Sequence, residues 1–114
     1  MSYYDTVEAF YHGVMLALMQ LNTDYLCVSN RESGSGRFDL QCKQRKKWKL
    51  AYLLEFKISN TPAEMLTDAK KAAEQILEKE YMANLQAEGY EKIMTYGFAF
   101  CEKRCRVVQG PVRG

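Results

Sequence analysis

From Asp5 to about Leu21 the apolar residues Val7, Phe10, Tyr11, Val14, Met15, Leu18 and Met19 recur at three- and four-residue steps. That spacing places them on one face of a helix. Asn22-Thr23-Asp24 interrupts the pattern, and Tyr25 to Val28 reads as a short strand running into the polar segment Ser29 to Gly36, where Gly34 and Gly36 permit a tight reversal. Phe38, Leu40 and Cys42 then alternate with Arg37, Asp39, Gln41 and Lys43, the period of a strand with one apolar and one polar face. Leu50 to Leu54 is apolar on both faces, as in the middle of a covered sheet, and leads into Glu55 and Lys57.

Asn60 to Glu64 predicts a helix start, with Thr61 as cap, Pro62 at the first helical position and Glu64 closing a capping box. The helix is expected to run to about Glu88 on a stripe of Leu66, Ala69, Ala73, Ile76, Leu77, Tyr81 and Leu85, with Gly89 as its stop. Ile93 to Cys101 is again apolar on both faces, and Arg104 to Val108 can pair back against it through a turn near Glu102-Lys103. Residues 109–114 carry no structural signal and read as a flexible tail. The order is α-β-β-β-α-β-β. Short connections imply antiparallel pairing among the first three strands, and the long helix implies a right-handed crossover that leaves the third and fourth strands parallel. The fold class is α/β with a mixed central sheet flanked by helices.

A chain of 114 residues supports one core, so residues 1–114 form a single domain. Eight tyrosines and an apolar content of 47 % supply that core and exclude global disorder. The net charge of +2 and pI of 8.3 do not by themselves indicate a nucleic-acid binder. The charge is uneven, however: Lys43, Arg45, Lys46, Lys47 and Lys49 crowd one segment without an acid, and Lys103, Arg104 and Arg106 form a second group. Each suits phosphate contacts or, equally, a solvated hairpin tip and edge strand. Cys27, Cys42, Cys101 and Cys105 lack zinc-finger spacing and suit a reduced, cytoplasmic protein. The longest apolar stretch, near Val14 to Leu21, is too short to cross a membrane.

Glu55 and Lys57 leave the same face of a strand at the end of a hydrophobic run, where burial without partners would be costly. The 15 residues between Asp39 and Glu55 suit two paired strands and a tip, which would bring a second carboxylate to the pair. Two carboxylates can hold a hard cation such as Mg²⁺ or Mn²⁺, and a neighbouring ammonium can orient water or offset charge building up on a phosphate. A structural salt bridge within Glu55, Lys57 and a nearby Arg is the bland alternative.

Further residues narrow the choice. The run Ser29-Asn30-Arg31-Glu32-Ser33-Gly34-Ser35-Gly36-Arg37-Phe38-Asp39 precedes Leu53-Leu54-Glu55-Phe56-Lys57. Ala73-Glu74-Gln75-Ile76 with Lys79 and Tyr81 follows, and then Tyr96 to Phe100 with Lys103. Together they resemble the PD-(D/E)XK nuclease-like module often found at the C-terminus of bacterial AAA-ATPase-like proteins, and the resemblance spans Glu8 to Val108. It implies a restriction-endonuclease-like fold and a metal-dependent nuclease that hydrolyses phosphodiester bonds, with DNA as the expected substrate. Asp39 and Glu55 would be metal ligands with the Phe56 carbonyl as a third, and Lys57 the catalytic lysine. Gln75 matches a helical glutamine near the site, and Glu8 matches a position that sends an extra carboxylate to the metal in many members. Arg37 would brace a carboxylate or touch phosphate, and Lys43, Arg45, Lys46 and Lys47 would bind nucleic acid. Met1-Ser2 begins almost at the first helix, without the expected ATPase segment, which leaves open an excised domain, a stand-alone version or an ATPase-like partner.

Three alternatives stand beside one another: an active nuclease, the same fold retained as a binding or assembly module without activity, and a salt-bridged structural core. A homodimer through the apolar first helix is a further expectation. His12 reads as a surface or packing histidine, Ser33 to Gly36 as a hairpin turn rather than a phosphate cradle, and Trp48 and Tyr52 as the apolar start of a strand.

Overall fold

The computed structural model describes residues 10–17, 21, 24–32, 37–45, 50–78 and 81–113; residues 30–32, 37, 38, 77, 78 and 81 are described by backbone alone. Among the described residues, five strands, β1 (Tyr25–Glu32), β2 (Arg37–Gln44), β3 (Leu50–Ile58), β4 (Lys92–Cys101) and β5 (Arg104–Arg113), lie side by side in chain order in one sheet. Every neighbouring pair is antiparallel except β3 and β4, which are parallel. That exception is the expected result of a helical crossover, here α2 (Met65–Glu78) and α3 (Tyr81–Ala87). Residues 10–17 form α1. Mixed sheet and flanking helices together give the α/β architecture expected of a restriction-endonuclease-like fold.

The alternation of side chains along the strands divides the core into two layers. On one face Leu40, Leu54, Phe56, Ile58 and Phe100 are buried beneath Tyr11, Met15 and Leu16 of α1. The Tyr11 ring stacks on Phe100 at 4.4 Å, and its hydroxyl donates a hydrogen bond to the carbonyl of Glu102. On the other face Ala51, Leu53 and Ile93 pack under Ile76, Met82 and Leu85, while Ala99 and Cys101 pack under Met65 and Ala69. Each large apolar side chain buried in this way contributes roughly 1.5–3 kcal/mol.

One glycine decides how closely α2 approaches. A Cβ at Gly97 would stand 2.1 Å from the carbonyl oxygen of Ala69 and 2.5 Å from the backbone nitrogen of Ala73, so only a residue without a side chain lets the helix backbone lie this near β4. Ala69, Ala72 and Ala73 are the matching small residues on the helix, all buried.

Several expectations need correction. Residues 109–113 are not a tail: β5 runs on to Arg113, and the hydroxyl of buried Thr95 donates to the carbonyl of Pro111 at 2.7 Å. The register skips between Met94/Val112 and Tyr96/Gln109, so two β5 residues, Gly110 and Pro111, face the single residue Thr95. A proline is tolerated at such a bulge on an edge strand. Thr61 occupies the cap position but makes no side-chain cap hydrogen bond, so no capping box forms. The helix opens instead through a 3₁₀ turn at Pro62–Glu64, in which the Glu64 N–H donates to the Thr61 carbonyl. Leu66 is exposed, and Met65 takes its place on the buried stripe. On α1, Phe10 and Val14 face outward while Tyr11, Met15 and Leu16 pack inward. The first strand extends past Val28 to Glu32. Gly89, with φ of 101°, ends α3 in the left-handed region as expected.

Cys27 and Cys42 are directly opposite each other in β1 and β2. The Arg45 N–H donates to the Asp24 carbonyl at 2.8 Å, which marks that opposing pair as hydrogen-bonded. The strict alternation of antiparallel ladders then makes Cys27/Cys42, three positions along, a non-hydrogen-bonded pair, the kind in which side chains stand closest. Both thiols are free. Burial, then the hydrogen bond that the neutral Cys42 thiol donates to Cys27, pushes the Cys42 thiol far above its ordinary value. Among the described residues no helix is long and apolar enough to cross a membrane.

Candidate functional site

Asp39 and Glu55 are directly opposite one another in β2 and β3. Opposing residues carry their Cβ atoms roughly 4.5–5.5 Å apart on one face of the sheet, here the face covered by α2. Both are taken out of water, Asp39 to 5 % and Glu55 to 1 % exposure. Two carboxylates brought together in a dry place repel and are each poorly solvated, so both must be offset by cationic or hydrogen-bonding groups. Each makes further polar interactions in the structure.

The sequence dictates this placement locally. Leu40, buried beneath α1, and Cys42, buried on the same side, commit one face of β2 to the core, which turns Asp39 to the opposite face. On β3 the same alternation puts Leu54, Phe56 and Ile58 beneath α1 and Ala51, Leu53, Glu55 and Lys57 toward α2. Glu55 is also level with Gly97 of β4, so the close approach of α2 lies next to Glu55 in the sheet.

Lys57, the next β3 residue on that face, stands opposite Arg37. Its ammonium nitrogen is 3.4 Å from Oδ1 of Asp68, a carboxylate in the first turn of α2. The other oxygen, Oδ2, accepts a hydrogen bond of 2.7 Å from the Ser59 hydroxyl. Asp68 and Ser59 are both buried, and the Ser59 N–H donates to the Phe100 carbonyl at 2.7 Å, which pins the end of β3 to β4. Asp68 is the site residue that sequence reasoning missed. An acid in a first helical turn is a common dipole partner, and nothing in the sequence showed that this one points at the strand.

Gln75 lies two turns along α2 from Asp68, beside Ile76, which packs on Ala51 and Leu53. It is half-buried, and its buried Oε1 finds no hydrogen-bond partner among the described residues. Phe56 has its ring in the α1 layer while its backbone belongs to the strand segment between Glu55 and Lys57. Arg37 is in register with the site, its side chain outside the described residues. Glu8, Lys46 and Lys47 lie outside the described residues.

The basic segment does not converge on the acids. Lys43 is four residues along β2 from Asp39, about 13 Å at the rise of a strand, at the opposite end of the hairpin from Lys57. It pairs at 3.0 Å with Glu88 just beyond α3. Arg45 is exposed at that same end.

Among the described residues no group of three or more His, Cys, Asp and Glu side chains is placed to hold a metal ion. The arrangement instead offers two buried carboxylates and neighbouring backbone carbonyls. This all-oxygen donor set fits a hard divalent cation and leaves coordination positions for water and substrate. It does not fit zinc held by thiolates or imidazoles.

A family model described as the PD-(D/E)XK nuclease superfamily matches residues 6–110. No curated protein and no solved structure matches the chain. Nucleases of that superfamily generally use divalent metals such as Mg²⁺.

Proposed function

We propose, because the chain belongs to the PD-(D/E)XK nuclease superfamily, that it hydrolyses phosphodiester bonds in DNA with a divalent metal ion, Mg²⁺ or Mn²⁺. The observation that carries this reading is the pair of buried carboxylates, Asp39 and Glu55, facing each other across two strands with Lys57 next along the same face.

Asp39 and Glu55 would hold the metal, with the Phe56 carbonyl as a third oxygen. When bound, the ion supplies polarisation of the phosphate and activation of a water. The chain's own groups do the rest. Glu55 and Asp39 would fix where the ion, and through it the reacting phosphate, sits, and the Lys57 ammonium would orient the attacking water or meet negative charge as it grows on the phosphate oxygens. Gln75, whose buried Oε1 has no hydrogen-bond partner among the described residues, would serve as a further acceptor from α2. Glu8 would add a carboxylate from the N-terminal segment. Arg37 would brace a carboxylate or take a phosphate oxygen, while Lys43, Arg45, Lys46 and Lys47 would hold the substrate backbone further along. The four free cysteines fit a reducing, cytoplasmic setting.

Purified protein is expected to cut DNA in the presence of Mn²⁺ or Mg²⁺ and to stop when a chelator removes the ion. Asp39→Ala should lower the rate on the order of a hundredfold or more. Equal cleavage by wild type and Asp39→Ala, with the metal present, rules this site out as the catalytic one.

A further inference from the structure

The ion pair that the structure gives Lys57 leads away from the acids and toward α2. Lys57 Nζ stands 3.4 Å from Asp68 Oδ1, and the opposite oxygen of the same carboxylate takes the Ser59 hydroxyl at 2.7 Å. We propose that Asp68, held by Ser59, is a positioning residue that fixes the Lys57 ammonium for the reaction. The inference deepens the nuclease reading above and rests on it.

Without Asp68, Lys57 would have the acid pair on its own face of the sheet as its anionic partners. A lysine has a flexible four-carbon stem and a compact charge, and Glu55 lies two residues away on the same face of the same strand. Such an ammonium would fold onto the Glu55 or Asp39 oxygens and compete with a cation for them. A third carboxylate on the far side of Lys57 removes that outcome by drawing the ammonium along the strand.

Asp68 is built for this task. It lies in the first turn of α2, where the helix dipole favours a negative charge. It is buried, so its pull on Lys57 is weakly screened, whereas Lys57 itself keeps 30 % of its side chain exposed to an approaching substrate. Its orientation is fixed on both sides. Ser59 is buried, follows directly on β3 and is anchored to β4 through its own N–H. One oxygen of Asp68 is therefore spent on the scaffold and the other is aimed at Lys57. A carboxylate serving only to cap or solvate a helix would need neither partner.

The test combines kinetics with nuclear magnetic resonance of the lysine ammonium groups. Asp68→Asn keeps the shape and removes the charge, and Ser59→Ala leaves the charge but frees its orientation. Asp68→Asn is expected to lower kcat roughly ten- to a hundredfold with KM unchanged, and Ser59→Ala to lower it less. In a Lys57→Ala background Asp68→Asn should cost nothing more. Independently of activity, a slowly exchanging Lys57 ¹⁵Nζ ammonium signal should be present in the wild type and broadened away in Asp68→Asn.

An unchanged kcat, or a loss that persists in the Lys57→Ala background, overturns the positioning role. So does a Lys57 ammonium signal that survives Asp68→Asn unaltered. If the wild type cuts no DNA with Mn²⁺ while that signal is lost on substitution, the nuclease reading falls and the hold of Asp68 on Lys57 stands. Should either variant fail to fold, the other, with the same ammonium signal, decides.

Discussion

Asp39 and Glu55 can be separated from the chemistry they would serve by measuring stability instead of cleavage. A ligand that binds only the folded chain stabilises it by about 2.7 kcal/mol at a hundredfold excess over its Kd. For a domain of this size that corresponds to a rise in Tm on the order of ten degrees. Mn²⁺ is expected to produce such a rise in the wild type and little or none in Glu55→Gln, a contrast readable by calorimetry. A second residue-level prediction concerns alkali. Burial keeps the Cys42 thiol neutral well above its ordinary pKa of 9.0, so the unfolded chain loses this proton first as pH rises. The stability that the neutral thiol contributes is complete below about pH 9 and declines above it, at up to about 1.4 kcal/mol per pH unit. Cys42→Ala should flatten that alkaline limb of a denaturation series. That Asp39, Glu55 and Lys57 share a face was legible in the sequence because a strand has only two: Leu40 and Cys42 took the other one on β2, and a spacing of two put Glu55 and Lys57 on the same side of β3. Asp68 was not legible because a helix surface offers many directions. Which one meets Lys57 depends on how deeply α2 settles, and that is a tertiary quantity.

That depth is set at the level of elements by Gly97. Gly97→Ala would drive a methyl group into the Ala69 carbonyl and the Ala73 nitrogen, both backbone atoms that cannot rotate aside. The substitution should cost roughly 1–3 kcal/mol in chemical denaturation. It should also lower kcat, because lifting α2 withdraws Asp68 and Gln75 together from the strands. At β5 the strand continues past Val108, where the apolar pattern ends, to Arg113. Gly110 and Pro111 are ordinary signs of chain ending or turning, but here they form the bulge that faces Thr95. Deleting residues 109–114 would strip the buried Thr95 hydroxyl of its acceptor, a penalty of about 1–3 kcal/mol, and would leave β4 half uncovered. A fall in Tm of roughly ten degrees is expected; an unchanged Tm would restore the tail. The helix start misled for a related reason. Pro62 fixed the first turn as foreseen, but the chain satisfied the Glu64 N–H from the Thr61 backbone carbonyl, so the side-chain cap had no vacancy to fill.

For the molecule as a whole, order of elements and strand directions were readable because short connections and a long crossover leave few topologies. Tilt and exposure of the outer elements were not. Phe10 and Val14, both exposed and four residues apart on α1, belong to the expected apolar stripe yet turn away from the sheet. If a homodimer forms through this helix, Phe10→Glu should convert it to monomer in sedimentation equilibrium without changing α1's packing through Tyr11, Met15 and Leu16. The sheet is also open, with β1 at one edge and β5 at the other. The Cys27/Cys42 pair bridges the outermost strand and the one that carries Asp39. Because Cys42 is buried beneath its neighbours, an alkylating reagent can reach it only while that corner of the molecule has come apart. The rate at which Cys42 is labelled therefore clocks the fraying of β1 in the intact protein. Slowing of that clock by Mn²⁺ would mean that the ion, three residues down the same strand, is felt at the sheet's edge.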